Sequence, residues 1–214
     1  MTNDNKEETM IDLYLAGTAN GFRASVALEE AGLPYHIHKI DLAKGESHTP
    51  EFLKLNPAGL IPVVVDHDGP GGKPLTLAQS GAIILYAADK SGRFLPKDTV
   101  RRAMAFQWFT QGLSDVAATS GALFRMENSV PEKNAANTEY FKKRLLGFFS
   151  VCDANLARHQ YLAGEFSVAE LMLYPNVALR KPMLDQAGGL ANLQRWGAAV
   201  GARPGMQKGM KVLG

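Results

Sequence analysis

The chain has 214 residues, 46% of them hydrophobic and 21% charged, enough to bury a substantial core in one large domain or two modest ones. A formal net charge of only +2 supplies no global field that would select nucleic acid or an anionic membrane, so neither is expected as a partner. Its single cysteine, Cys152, has no second cysteine to pair with, which fits a reducing, cytoplasmic compartment.

Residues 1–9 are polar and acidic, without the basic and apolar blocks of a secretory signal, and are expected to form a disordered tail. No run of about 18 apolar residues occurs anywhere, so no membrane-spanning helix is expected. Residues 11–16 form a short apolar run bounded by Gly17. Residues 22–31 carry helical spacing through Phe22, Val26, Leu28 and Ala31 before Gly32 stops them. Residues 35–42 alternate imperfectly as a second strand, so the three segments read as a βαβ unit.

A short helix over 49–55 leads into Asn56-Pro57-Ala58-Gly59, a cluster that demands a turn. Pro62 then opens the β-branched run Val63-Val64-Val65, a position where proline removes no interior ladder bond. The Gly-rich stretch 68–72 is a hairpin loop before a strand at 74–77; it lacks the Lys-Ser/Thr of a phosphate loop. Ser80 starts a helix that Gly92 ends. The order β-α-β-α-β-β-α over residues 10–92 makes a mixed four-stranded sheet with helices on both faces. Beyond a linker at 93–99, helical periodicity governs residues 100–214, including 140–156, 168–184 and 190–200, which form an all-helical domain.

Ser80 brings uncapped backbone donors and a positive dipole end to its surroundings, which suits a carboxylate. The turn from Gly17 to Gly21 does the same for an anion, with the Thr18 hydroxyl and the Asn20 amide as added donors; both residues also suit ordinary capping and turn formation. Ser167-Val168-Ala169-Glu170 has the spacing of a capping box, with a structural role. Cys152 reads as a small buried hydrophobe, and the five histidines show no metal-ligand spacing, so no metal is expected.

The run Leu55-Asn56-Pro57-Ala58-Gly59-Leu60-Ile61-Pro62-Val63-Val64-Val65-Asp66, followed by Gln79-Ser80-Gly81-Ala82-Ile83 and preceded by Glu29-Glu30-Ala31-Gly32, closely resembles the glutathione transferase superfamily. Ile11-Asp12-Leu13-Tyr14, Thr18-Ala19-Asn20-Gly21 and the long Gly-rich hairpin loop are most similar to its bacterial nu class of disulfide-bond reductases. The resemblance implies an α/β thioredoxin-like N-terminal domain with a cis peptide bond before Pro62, an all-α C-terminal domain and a homodimer. It implies glutathione as cosubstrate, bound through the backbone of Ile61 beside Pro62 and through Gln79 and Ser80, with Thr18 and Asn20 contacting the sulfur.

Tyr14 is the competing sulfur donor, read here as a packing residue. Leu60 and Gln79 depart from the family, which often has Lys or Gln at the first position and Glu at the second; Lys73, Lys44 or His48 could replace the missing donor. Arg144 sits where the class has an arginine facing the ligand, although an exposed basic helix face accounts for it equally. The expected activity is disulfide exchange or conjugation of glutathione to a small electrophile; the alternative is a non-catalytic glutathione-binding or regulatory protein of the same fold.

Overall fold

In β1 (Ile11–Leu15), Ile11, Leu13 and Leu15 are buried while Asp12 and Tyr14 stand half-buried on the opposite face, the period-2 pattern of a strand covered more heavily on one side. The computed structural model describes residues 11–214, and the expected tail over residues 1–9 lies outside them. α1 (Ala19–Ala31) is capped by Thr18 and closed by Gly32 at φ 70°, a conformation that side chains resist. β2 (Tyr35–Lys39) returns parallel to β1 with Ile11 opposite Tyr35. α2 (Pro50–Leu55) starts at Thr49, whose hydroxyl accepts from Phe52 N, with proline in its first turn.

β3 (Val63–Asp66) runs antiparallel to β1 on one side and to β4 (Leu75–Ala78) on the other, giving the sheet order β2-β1-β3-β4. Buried Val63 and Val64 explain why a continuous β-branched run occupies this inner position. α3 (Ser80–Ser91) packs on α1 and is tied to β3 through the buried Asp66, which accepts from Tyr86 OH at 2.5 Å and pairs with Lys90 at 2.7 Å. This mixed sheet with flanking helices is the expected thioredoxin-like arrangement.

The chain divides into two compact units, one of residues 11–93 together with Arg203–Gly214 and one of Phe94–Ala202. The second is helical throughout. α4 (Thr99–Gln111) passes through a π-helical stretch, Gly112–Ala117, into α5 (Ala118–Asn128). α6 (Ala135–Leu156), α7 (Val168–Leu179), α8 (Lys181–Ala187) and α9 (Ala191–Gly201) follow. Trp108, Leu145, Phe149, Leu171 and Trp196 are core residues of this unit.

Its capping box is present in full. Glu170, wholly buried, accepts from Leu162 N at 2.8 Å, Ser167 N at 2.9 Å and Ser167 Oγ at 3.0 Å, with Trp196 Nε1 at 3.5 Å. Burial pushes the Glu170 carboxyl up while these donors pull it back. The expected helix over 168–184 is broken at Arg180, where Pro182 has no N–H to offer the carbonyl of Ala178, and α8 restarts with that proline in its first turn.

The expectation that residues 100–214 form one helical domain is corrected at its end. α10 (Pro204–Gly209) packs on α1 in the first unit. Arg203 embraces the buried Glu30 carboxylate through Nε at 3.1 Å and 3.2 Å and Nη2 at 2.6 Å, and Met206 N donates to the same group at 3.2 Å. Ser25 Oγ donates to Gly209 O at 2.7 Å. A Cβ on Gly209 would lie 2.6 Å from Val26 Cα, so the approach requires glycine.

Candidate active site

The register of the sheet brings three loops together. Val63 is paired with Tyr14 on one side and Ala78 on the other, so residues 61–62, the turn after β1 and the Gln79–Ser80 step all leave the same end of the sheet. In the first loop Thr18 N donates to Ala16 O at 2.7 Å, while Thr18 Oγ accepts from Gly21 N at 3.2 Å. A Cβ at Gly21 would sit 2.2 Å from Ala16 O, so only glycine permits the turn to close this tightly. Accepting one bond leaves the Thr18 hydroxyl its proton to donate, so the capping role and a ligand role are compatible. Asn20 is exposed, and its Oδ1 accepts from Arg23 Nη1 and, at 3.5 Å, from Ser80 Oγ.

The second loop is shaped by Asn56, a buried residue of the turn cluster that is not among the expected site residues. Its Oδ1 accepts from Ala58 N at 3.1 Å and its Nδ2 donates to Leu60 O at 2.7 Å, holding the chain on both sides of Gly59. The signal was present as an Asn directly before Pro57. The Ile61–Pro62 bond is cis, as expected. Leu60 is 57% exposed, with an apolar side chain where a donor would serve a carboxylate. Of the candidates to replace that donor, Lys44 is paired with Asp41 at 3.2 Å, and His48 lies against Gly59, whose Cβ would meet its Nδ1 at 2.4 Å.

The third loop carries local strain. Gln79 has φ 74° and ψ 116°, a conformation costing a non-glycine residue about 1–3 kcal/mol, and its side chain is exposed and caps nothing. Ser80 is buried. Ile83 N is the first to bond back, to Gln79 O at 3.0 Å, so the N–H groups of Ser80, Gly81 and Ala82 have no partner within the helix. Positive dipole ends of α1 and α3 therefore meet at one end of the sheet, with hydroxyl and amide donors on each.

Tyr14 points elsewhere. It stacks on His38 at 4.4 Å between ring centroids and 13° between planes, and meets Phe52 of α2 edge-on at 6.3 Å. Burial, and then the Asp12 carboxylate, pushes its phenol above the ordinary range. Asp12 is itself engaged by His38 and His67, each Nε2 at 2.8 Å. In the helical unit, Arg144 lies over the Phe148 ring at 5.1 Å, and the buried Cys152 thiol is pushed up to about 12, leaving almost no nucleophilic thiolate at neutral pH. Among the described residues no group of three or more His, Cys, Asp or Glu side chains could hold a metal ion, and no helix is long and apolar enough to cross a membrane. A cavity of about 740 Å³ lies at the other end of α1, against Leu33, Tyr35, Ile37 and Lys211, and includes none of the residues above.

Residues 19–90 match the family model described as glutathione S-transferase, N-terminal domain. Over 198 residues the chain is 35% identical to the disulfide-bond oxidoreductase YfcG of Escherichia coli K12, covering 91% of this chain and 92% of that protein. The chain belongs to the glutathione transferase superfamily. A second superfamily relative, the disulfide-bond oxidoreductase YghU of the same organism, is 30% identical over 217 residues, 94% of this chain and 74% of that one. Among solved glutathione transferases, one from Pseudomonas putida with glutathione disulfide bound superposes with a TM-score of 0.89 at 29% identity, covering 99% of this chain and 95% of that one. Another, from Burkholderia graminis with two glutathione molecules per subunit, gives 0.89 at 30% identity and covers 98% and 91%.

Proposed function

We propose that this glutathione transferase is an enzyme that lowers the pKa of the glutathione thiol and directs the thiolate at a disulfide, or at an electrophilic carbon of a small substrate. The observation that carries the reading is the meeting of the α1 and α3 N-termini at one end of the sheet, with Thr18 and Asn20 on one and Gln79 and Ser80 on the other. Glutathione has a γ-glutamyl end, a peptide backbone and a thiol, and each finds a matching group. Ser80 and the α3 N–H groups take the glutamyl carboxylate, and Gln79 Oε1 takes its ammonium. The backbone of Ile61, ahead of Pro62, takes the cysteinyl peptide as an added strand edge. Thr18 and Asn20 donate to the sulfur, whose unassisted pKa near 8.5 leaves little thiolate at neutral pH. Disulfide exchange is preferred over conjugation because the relative of highest identity named above, at 35%, is a disulfide-bond oxidoreductase.

Titration with glutathione, followed by turnover with a small disulfide and with an aromatic halide, tests the proposal; binding without turnover of either would sink it. Ser80→Ala and Gln79→Ala should each weaken glutathione binding by about 1–3 kcal/mol, because each leaves a charged ligand group short of a hydrogen bond. Calorimetry reads this directly, and unchanged affinity in both variants would put the ligand elsewhere. We read the protein as a cytoplasmic homodimer that binds neither nucleic acid nor membrane. Light scattering should give about twice the 23.2 kDa of one chain, and a monomer would contradict the dimer alone.

A further inference from the structure

Arg23 is 1% exposed, an unusual place for a guanidinium, and it lies three residues after Asn20 on α1, where side chains of one helix face meet. Its Nη1 donates to Asn20 Oδ1, and Ser80 Oγ reaches the same oxygen at 3.5 Å. A carboxamide can present either end to a ligand, and its two orientations have nearly the same shape. A serine hydroxyl does not choose between them, since it both donates and accepts. A guanidinium does choose, because it carries donors only and must face the oxygen.

We propose that Arg23 is a positioning residue: by holding the Asn20 oxygen it turns the Asn20 NH₂ group outward as the donor to the glutathione thiolate. The inference rests on the sulfur role of Asn20 in the function proposed above. Burial pulls the Arg23 pKa down to about 10, which leaves it charged at neutral pH, and its charge polarises the amide toward stronger donation. An exposed asparagine without this support would spend part of its time with the oxygen toward the sulfur, repelling the anion it should stabilise.

The test compares Asn20→Ala, Asn20→Asp, Arg23→Met, Arg23→Lys and the double variant Arg23→Met/Asn20→Ala. The measurements are kcat, KM for glutathione, melting temperature, and the ionised fraction of bound glutathione from thiolate absorbance in the near ultraviolet. Arg23→Met should lower kcat at least about 10-fold and reduce the ionised fraction while KM moves less than about 3-fold. Arg23→Lys, which keeps a charged donor, should recover most of that loss. In the Asn20→Ala background, Arg23→Met should cost less than about 2-fold further, since its effect passes through the missing amide.

Asn20→Asp should fall below Asn20→Ala in turnover without losing melting temperature, because a carboxylate keeps its bond to Arg23 yet turns an anionic oxygen on the sulfur. That comparison leaves Arg23 intact and decides the matter if Arg23→Met fails to fold. If Asn20→Ala loses turnover while Arg23→Met costs as much in its background as in the parent, or while Asn20→Asp matches or exceeds it, the positioning role of Arg23 is overturned and the sulfur role of Asn20 stands. If Asn20→Ala turns over like the parent, Asn20 is not the sulfur donor, and both that part of the proposed function and this inference fail together.

Discussion

Glu170→Ala should lower the stability of the helical unit by about 3–5 kcal/mol. The truncation removes a fully buried acceptor and leaves Leu162 N, Ser167 N and Ser167 Oγ facing an apolar void. Each buried donor stripped of its partner costs about 1–3 kcal/mol, partly relieved where the chain can relax. The capping of α7 goes with it, since Ser167 loses the carboxylate that orients its hydroxyl. For a chain of this length a loss of 4 kcal/mol corresponds to about 8–16 °C in Tm, well within reach of a thermal melt. Glu170→Gln is the informative companion. It keeps the volume, but one of its two ends must point an NH₂ group at existing donors, so it should recover only part of the loss. A melt of Glu170→Ala within about 2 °C of the parent would show that solvent reaches the box and that it is not a keystone of this unit.

Thr18→Ala should reduce turnover at least about 10-fold while changing glutathione affinity far less. The side chain does two things in the structure: it caps α1 by accepting from Gly21 N, and it keeps a hydroxyl proton to donate. Loss of the cap alone costs about 1 kcal/mol of stability, which a melt separates from the rate effect. Thr18→Ser retains both functions and should turn over nearly as well as the parent. Tyr14→Phe should be nearly silent, because the ring that stacks on His38 and meets Phe52 is unchanged. Should Tyr14→Phe abolish turnover and Thr18→Ala spare it, the sulfur donor is the tyrosine, and the proposed site shifts to the other face of β1.

The N-terminal elements were legible because their signals are local. The apolar run of β1, the glycines that stop α1 and α3, the proline at the mouth of β3 and, in the helical unit, the Ser167–Glu170 spacing each act over a few residues. What stayed hidden depends on neighbours far along the chain. Nothing in Arg203 announces that it closes on Glu30, 173 residues away, so the last helix was grouped with the wrong half. Arg23 reads as one more basic residue on a helix until the fold buries it, and only then does its bond to Asn20 acquire meaning. Asn56 was visible as a turn residue, but its grip on Leu60 O needs the geometry of the whole loop. Within the helical stretch from residue 100 no boundary between α4 and α5 can be read, because Ala117-Ala118-Thr119-Ser120-Gly121 carries almost no hydrophobic period.

The return of α10 to α1 makes the first unit discontinuous in sequence, and this bears on how the protein is made. On a ribosome, residues 11–93 emerge long before Arg203, and until it arrives the Glu30 carboxylate has no guanidinium to close on and Val26 lacks the backbone of Gly209 against it. The helical unit, encoded second, ends at Ala202 and so is complete in sequence before the first unit is. A fragment ending at residue 93 would thus correspond to a biosynthetic intermediate, and a chain that stalls before residue 203 would carry every residue of the helical unit but a first unit still lacking its last helix.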